Sequence, residues 1–558
     1  MRRKPVSEWT MDELKQILQR VRMALGEDDY KVMTAVVETL SYLSHLAKDK
    51  QAAEIYRILG SSKSEKTRKI LRVLQIESAT DSEPGDDPTE SARPAETLPE
   101  SSAPDGQGRP AGSRKKAKGH GRNGAGDYKG AHQIQVSLES MKPGDRCSCG
   151  KGNLYGIDDS PLVRIVGQAP IQANIYRLER LRCNTCGDVF TAEAPEGVGP
   201  EKYDATSTAM VALMKYGSGF PFHRLERLEG NLGIPLPAST QWEMVRDGAQ
   251  LIQPAFDELI REAASGEVLY NDDTSVKILE FVEHDRVIED PKLPGRTGVF
   301  TTGIVSTREG RKVALFFSGR KHAGENIADV LAKRAAELPR PIQMCDALSR
   351  NLPRELEVIL ANCLTHGRRY FVEAAANFPE ECRYILELLG KVYHNDAIAR
   401  QQAMTANQRL GFHQNESAPL MDEMKRWMKK QIDEKLCEPN SDLGTAIAYM
   451  TRHWEPLTLF LRVPGAPLDS TIVERALKKA ILHRRNSLFY KTQRGARVGD
   501  LFMSLIYTCQ LSNANPFDYL TVLHRNTDRL AREPAEWMPW NYSETLANLM
   551  PASAFGAN

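Results

Sequence analysis

Apolar residues recur at spacings of three and four through the first stretch of the chain. Leu14, Ile17, Leu18, Val21 and Leu25 form one stripe behind a capping pair, Thr10 and Glu13. Met33, Val36, Leu40, Leu43 and Ala47 form a second stripe, which suits a short coiled-coil dimer contact as well as a plain helical bundle. The pattern predicts a helical leader over 1–76, serving dimerisation or DNA binding. It then stops. Between 77 and 112 the only large apolar residue is Leu98, so 77–131 is expected to be a disordered linker. Over 132–197 the alternation of "LVRIVG" and "NIYRLERLRC" predicts short strands. Helical spacing returns over 198–265, with two helices broken by Gly233 and two prolines, the second capped by Ser239 or Thr240. That segment is helix-turn-helix-like, and an ordinary helical hairpin fits it equally.

From 266 the period becomes two. "EVLYNDDTSVKIL", "GVFTTGIVST", "KVALFFSG" and "PIQMCDA" read as four strands, the second and third joined by "REG" into a hairpin. A helix, "NIADVLAKRAAEL", precedes the fourth, and this order is an α/β pattern over 266–360. Residues 361–464 are almost wholly helical. Residues 465–514 open on a Pro/Gly turn, "PGAPLDSTIVERA", which becomes a helix capped by Ser470 or Thr471, and 515–558 read as a helical tail.

Composition adds limits. A chain of 558 residues, 41% hydrophobic and 26% charged, suggests an ordinary soluble protein of roughly three or four domains. No apolar run approaches the ~20 residues a membrane span needs, and the basic start "MRRKPVSEWT" has no apolar stretch behind it. The expectation is a cytoplasmic, nucleoid-associated protein with no membrane partner. The net charge of +1 hides segregation: residues 77–105 carry nine acids and one arginine, whereas 475–498 carry eight Lys/Arg and no acid. Such a basic surface points to nucleic acid. "SRKKAKGHGR" at 113–122 is either a solvated run or a phosphate-contacting arm.

The nine cysteines are an odd number in a large chain, which argues against a disulfide framework. Cys147, Cys149, Cys183 and Cys186 sit in two tight knuckles joined by strands, a zinc-ribbon pattern in which four thiolates hold structural Zn²⁺. Cys345, Cys363, Cys382, Cys437 and Cys509 read as buried small hydrophobes.

Three acids complete the inventory. Asp272 shares a strand face with Val268, Tyr270, Val276 and Ile278, where a carboxylate needs a proton, a partner or a cation. Asp346 ends the fourth strand, where chemistry in open α/β sheets sits. Glu474 lies in the first turn of a later helix, where the ordinary role is a favourable partner for the helix dipole. Carboxylates from two strands and a helix can converge on hard divalent cations, and two such ions activate a hydroxyl and stabilise the leaving oxygen of a phosphodiester.

These motifs make the sequence resemble the DDE transposases of the insertion-sequence-66 group along nearly its whole length. "LGSSKSEK" at 59–66, the cysteine knuckles, "PFHRLERL" and "PASTQWEMV" are similar to that group's leader, zinc-binding and helical segments. "NDDT", "MCDALSRN" and "PLDSTIVERALKKAILHRRNSLFYKT" resemble its three acid motifs, and "ANCLTHGRRYF" and "NPFDYL" also fit. The chain has Ser470 and Thr471 where the group has paired asparagines, and its first knuckle is CxC. The resemblance implies Asp272, Asp346 and Glu474 as catalytic, Mg²⁺- or Mn²⁺-binding residues, with two ions. It also implies a ribonuclease-H-like (retroviral-integrase-like) catalytic domain with a helical insertion, beside a zinc ribbon and helical N-terminal domain. The substrates would be double-stranded terminal inverted repeats and target DNA, bound by a homo-oligomer with small accessory proteins. Lys478, Lys479, Arg484, Arg485, Lys491, Arg494 and Arg497 follow Glu474 and are the expected DNA-binding residues, with Phe489 and Tyr490 available for packing or stacking. A nuclease that does not join, and an inactive transposase-derived DNA-binding protein, are the alternatives.

Overall fold

The structure, a computed structural model, describes residues 142–146, 154, 170–182, 189–199, 201–283, 286–287, 296–353 and 357–549. The expected helical leader, the linker with its basic run, and Cys147, Cys149, Cys183 and Cys186 lie outside the described residues. Residues 80–170 form a unit of their own, in which a turn at 142–145 is closed by Lys142 N donating to Asp145 Oδ2 at 2.8 Å.

In the larger unit, β1 (Arg180–Arg182) and β2 (Val189–Thr191) pair antiparallel. Four helices follow: α1 (Ala205–Ala212), α2 (Phe222–Asn231), α3 (Ala238–Leu251) and α4 (Gln253–Ala264). The α2–α3 hairpin breaks at Gly233, whose φ of +82° only glycine adopts freely. Neither Ser239 nor Thr240 caps α3; the helix begins at Ala238 after Pro237, and buried Gln241 donates instead to Leu236 O at 2.8 Å. The outward side of α3 carries Glu243 and Asp247, whereas α2 exposes Arg224 and Arg227.

The sheet comes next: β3 (Val268–Ser275), a small ribbon of β4 (Val282–Glu283) and β5 (Arg286–Val287), then β6 (Phe300–Arg308) and β7 (Arg311–Gly319). Glu309 and Gly310, both at positive φ, make the hairpin turn expected of "REG". Helix α5 (Ala323–Leu331) starts earlier than its apolar pattern suggests, because His322 and Glu325 form a capping box. It leads to β8 (Ile342–Cys345) and β9 (Ile359–Asn362). The last strand was not expected; "ILAN" is too short to show a period beside a helical run. The five strands are ordered β7-β6-β3-β8-β9, antiparallel among the first three and parallel from β3 to β9.

An all-helical segment follows, with α6 (Leu364–Ala374), α7 (Pro379–Gln401), α8 (Ala406–Glu416), α9 (Ala418–Asp433), α10 (Asp442–Arg452) and α11 (Trp454–Leu457). Phe371, Leu386, Leu389, Met424 and Met450 fill a core of its own that runs onto β8 and β9. The chain then returns through α12 (Thr471–Ser487), α13 (Gln493–Leu511), α14 (Pro516–Arg525), α15 (Thr527–Arg532) and α16 (Tyr542–Leu549). Ser470 makes no side-chain cap on α12; Asp469 Oδ1 accepts from Thr471 N at 3.1 Å and Thr471 Oγ1 at 2.7 Å instead.

Edge strand β7 is closed by a helix. Ser318 N donates to Asp500 Oδ2 at 2.7 Å, Phe316 N to Ser504 Oγ at 2.9 Å and Ala314 N to Thr508 Oγ1 at 3.0 Å. Four residues of helix rise ~6 Å and two of strand ~6.7 Å, so polar residues every fourth position on α13 meet the outward N–H groups in step. An edge that would otherwise template pairing is thereby satisfied. Burial pushes the Asp500 carboxyl up to about 7, and the two donors of Ser318 act against that rise.

Candidate active site

Strands β3 and β8 run parallel with Tyr270 opposite Met344. Two residues further along each, Asp272 and Asp346 leave the same end of neighbouring strands. Across the other side of β3, Asp272 pairs with Gly303 of β6. A Cβ at Gly303 would stand 2.9 Å from the Leu477 side chain and 3.3 Å from Val473 Cγ2. The missing side chain therefore lets α12 lie directly on the sheet beside Asp272. Val473 and Leu477 are buried there, and Glu474 follows Val473 on the first turn of the helix.

The three carboxylates thus come from β3, the end of β8 and α12, as expected. Two further side chains join them from the start of α6. His366 Nε2 lies 4.0 Å from Glu474 Oε1, and its charge acts on Asp272 as well. Donor atoms of Cys363, His366 and Glu474 all lie within 4.8 Å of one another. Cys363 Sγ also accepts Ser470 N at 3.3 Å, and Leu364 N donates to Leu468 O at 2.9 Å. These bonds fasten the approach to Glu474 onto the end of β9.

Asp272 is held at about 6, well above the usual carboxylate range. Burial is the main cause, and the Asp346 and Asp273 charges add to it; the Asp273 N–H at 2.8 Å and His366 oppose it. Glu474 Oε1 and His366 Nδ1 are buried without a hydrogen-bond partner. Among the described residues the donor atoms that come within 4.8 Å of one another are those of Cys363, His366 and Glu474, not the three carboxylates; Asp272 and Asp346 feel each other's charge, and His366 stands between Asp272 and Glu474. The acid oxygens, with one orphaned acceptor, are ligands of the kind a hard divalent cation takes.

Asp273 faces away from this group. Its side chain is 1% exposed, and it accepts Thr302 Oγ1 at 2.6 Å and Ala323 N at 3.0 Å. Its place is structural, tying β3 to the start of α5. Asp346 is set by a buried amide network that sequence reading missed. Asn351 Nδ2 donates to Asp346 Oδ1, and Leu348 N reaches the same oxygen at 3.2 Å. The Asn351 carbonyl in turn accepts from Asn271 Nδ2 at 2.9 Å and Gln343 Nε2 at 2.7 Å. Asn271, Gln343 and Asn351 are each 0% exposed. The available signal was an amide in the middle of each of two apolar strands, since buried polar groups require partners.

The basic run divides. Lys479 Nζ donates to Gly217 O at 3.3 Å, and Arg484 Nη1 donates to Ser275 Oγ at 2.7 Å and Thr274 Oγ1 at 3.2 Å. Both are turned to protein. Tyr490 is buried, with its ring stacked on His483 at 4.4 Å, so it packs and has no free face. Lys478, Arg485, Lys491, Arg494 and Arg497 are exposed.

Compared with known proteins, residues 202–498 match the transposase IS66 family. That span holds all three carboxylates and more than half of the chain. The chain belongs to the IS66 family of transposases. Among its relatives are two uncharacterized proteins of Sinorhizobium fredii (strain NBRC 101917 / NGR234). It is 25% identical to y4hP over 427 residues, 73% of this chain and 75% of that one. It is 26% identical to y4jD over 426 residues, 71% of this chain and 78% of the relative. Membership in a transposase family carries a role in transposition, with DNA as the substrate and divalent metal use. No helix among the described residues is long and apolar enough to cross a membrane.

Proposed function

We propose that this transposase cuts the ends of its insertion sequence and joins them to target DNA, with Asp272, Asp346 and Glu474 holding two catalytic Mg²⁺ or Mn²⁺ ions. The observation that carries the reading is that Asp272 feels the charges of both Asp346 and His366 while His366 Nε2 lies 4.0 Å from Glu474, whose Oε1 has no hydrogen-bond partner. The strand order β7-β6-β3-β8-β9, with its antiparallel first half and parallel second half, supports a ribonuclease-H-like catalytic domain interrupted by the 364–461 helices.

Bound cations would supply an activated water or 3′-hydroxyl and neutralise charge on the phosphorane-like transition state. The chain's own residues do the rest. Asp272 is ionised above about pH 6, and Asn351 holds Asp346 at a fixed angle. Close packing of α12 over Gly303 fixes Glu474. His366 Nε2 stands where an imidazole N–H can steady Glu474 or a phosphate oxygen. The exposed cations of α12 and α13 hold the duplex by its phosphates.

Purified protein incubated with terminal-repeat DNA and Mg²⁺ tests the reading. Nicked ends with free 3′-OH and a joined product support it; cut ends without joining favour a nuclease, and no reaction favours the inactive DNA-binding alternative. The ribbon formed by β1 and β2, which flanks Cys183 and Cys186, supports the zinc proposal for Cys147, Cys149, Cys183 and Cys186. Metal analysis of chelator-free protein should find about one Zn²⁺ per chain.

A further inference from the structure

Helix α12 ends in a strained turn. Leu488 has φ of +67°, a left-handed conformation that a residue with a Cβ enters at a cost. Burial does not offset it: Leu488 is 66% exposed and Phe489 beside it 36% exposed. The turn is nevertheless firmly held. Tyr490 N donates to Lys277 O at 2.9 Å, Leu279 N to Tyr490 O at 2.9 Å and Glu280 N to Lys491 O at 3.0 Å. Lys215 Nζ anchors Ser487 Oγ at 2.7 Å from the opposite flank. A rigid support thus presents two large apolar side chains to solvent.

The setting is cationic. Arg475, Lys478, Leu482 and Arg485 are exposed and recur at three- and four-residue spacing, which places them on one face of α12 running from Glu474 to the tip. Lys491 and Arg494 continue beyond it, and no acid occurs between 475 and 498. Two carboxylates beside the far end of this surface are engaged: Glu280 accepts Gln493 N at 2.6 Å, and Asp247 pairs with Arg246 while also feeling Arg494. A row of cations ending in an apolar point complements a polyanion whose interior is stacked and apolar.

We propose that Leu488 and Phe489 form a wedge that enters a base step of the element-end duplex while the α12 face holds its phosphates. The proposal rests on the catalytic reading of Glu474 for its position along the DNA. From Glu474 to Leu488 the helix rises ~21 Å at ~1.5 Å per residue. At ~3.4 Å per base pair the wedge meets the duplex about six pairs from the scissile phosphate. Apolar wedges of this kind unstack a step and bend the duplex toward the protein.

The test uses the full chain, Ca²⁺ in place of Mg²⁺, and terminal-repeat duplexes with 2-aminopurine at single positions roughly four to eight pairs from the cut. Wild type should raise the fluorescence at one step in that window. Leu488→Gly, which suits the positive φ and keeps the turn, combined with Phe489→Ala, should abolish the rise. The pair should also weaken binding roughly tenfold to hundredfold without changing its salt slope. Glu474→Gln should keep the rise, so loss of cleavage and loss of the wedge are read separately. A rise in wild type with Ca²⁺, but no cleavage of the same duplex once Mg²⁺ or Mn²⁺ is supplied, would leave the wedge standing and sink the catalytic reading. No rise at any position, or unchanged affinity in the double variant, overturns the wedge. So does a double variant whose only defect is a smaller sedimenting species, which would make the tip a contact between copies.

Discussion

Replacing Asp272 by Asn should stabilise the metal-free protein while destroying its chemistry. Asp272 is held at about 6 against an ordinary value of 3.8. The gap of about 2.2, at ~1.36 kcal/mol each, corresponds to ~3 kcal/mol. The folded state keeps a proton that the unfolded chain has released, so stability falls as pH rises from about 4 to about 6 and stays low above that. Asn cannot ionise and escapes this loss. Because the site is partly open to solvent and the amide hydrogen-bonds less well than the carboxylate to Asp273 N, a net gain of ~1–2 kcal/mol at pH 7.5 is expected. Denaturant unfolding in EDTA measures it, with wild type and variant compared at pH 4.5 and 7.5. The variant should match wild type at the lower pH and exceed it at the higher. With millimolar Mg²⁺ at pH 7.5 the order should reverse, because the cation stabilises only the protein that binds it. An Asn variant that is less stable than wild type in EDTA at both pH values would refute the reasoning.

Gly303→Ala should cost ~1–3 kcal/mol and lower strand cleavage more than tenfold, since the new methyl must push Leu477 and with it α12 away from Asp272; unfolding and single-turnover assays check both. Asn351→Ala should reduce cleavage without changing DNA affinity and cost ~1–3 kcal/mol, because Asp346 loses its amide partner. Neutralising Lys478 and Arg485 together should lower the salt slope of DNA binding by ~1.8, whereas Arg484→Ala should leave the slope and reduce stability, since Arg484 holds the end of β3.

Much of this was legible in the sequence for identifiable reasons. Strands β3, β6, β7 and β8 are long or sharply bounded, and the alternation along them placed Asp272 and Asp273 on opposite faces. The acids themselves stood out as carboxylates beside apolar neighbours. What escaped depended on distant partners. Gly303 matters only because Leu477 and Val473 arrive from far along the chain, and His366 only because α6 starts beside Glu474. The basic run was visible as charge, but its division into outward Lys478 and Arg485 and inward Lys479 and Arg484 required the packing of α12 on β3 and β6. Likewise the cap of α12 went to Asp469, because a side chain one residue earlier reached Thr471 with better geometry.

Whether the three carboxylates form an active centre can be decided by one comparison: end cleavage and joining by wild type, Glu474→Gln and Asp273→Asn in Mg²⁺ and in Mn²⁺. Glu474→Gln should keep its fold and DNA affinity and lose both products by orders of magnitude. Asp273→Asn, altered only on the far face of β3, should lose stability but keep most of its activity per folded molecule. Wild-type levels of cut and joined DNA from Glu474→Gln in either metal would contradict the metal-dependent role assigned to that carboxylate.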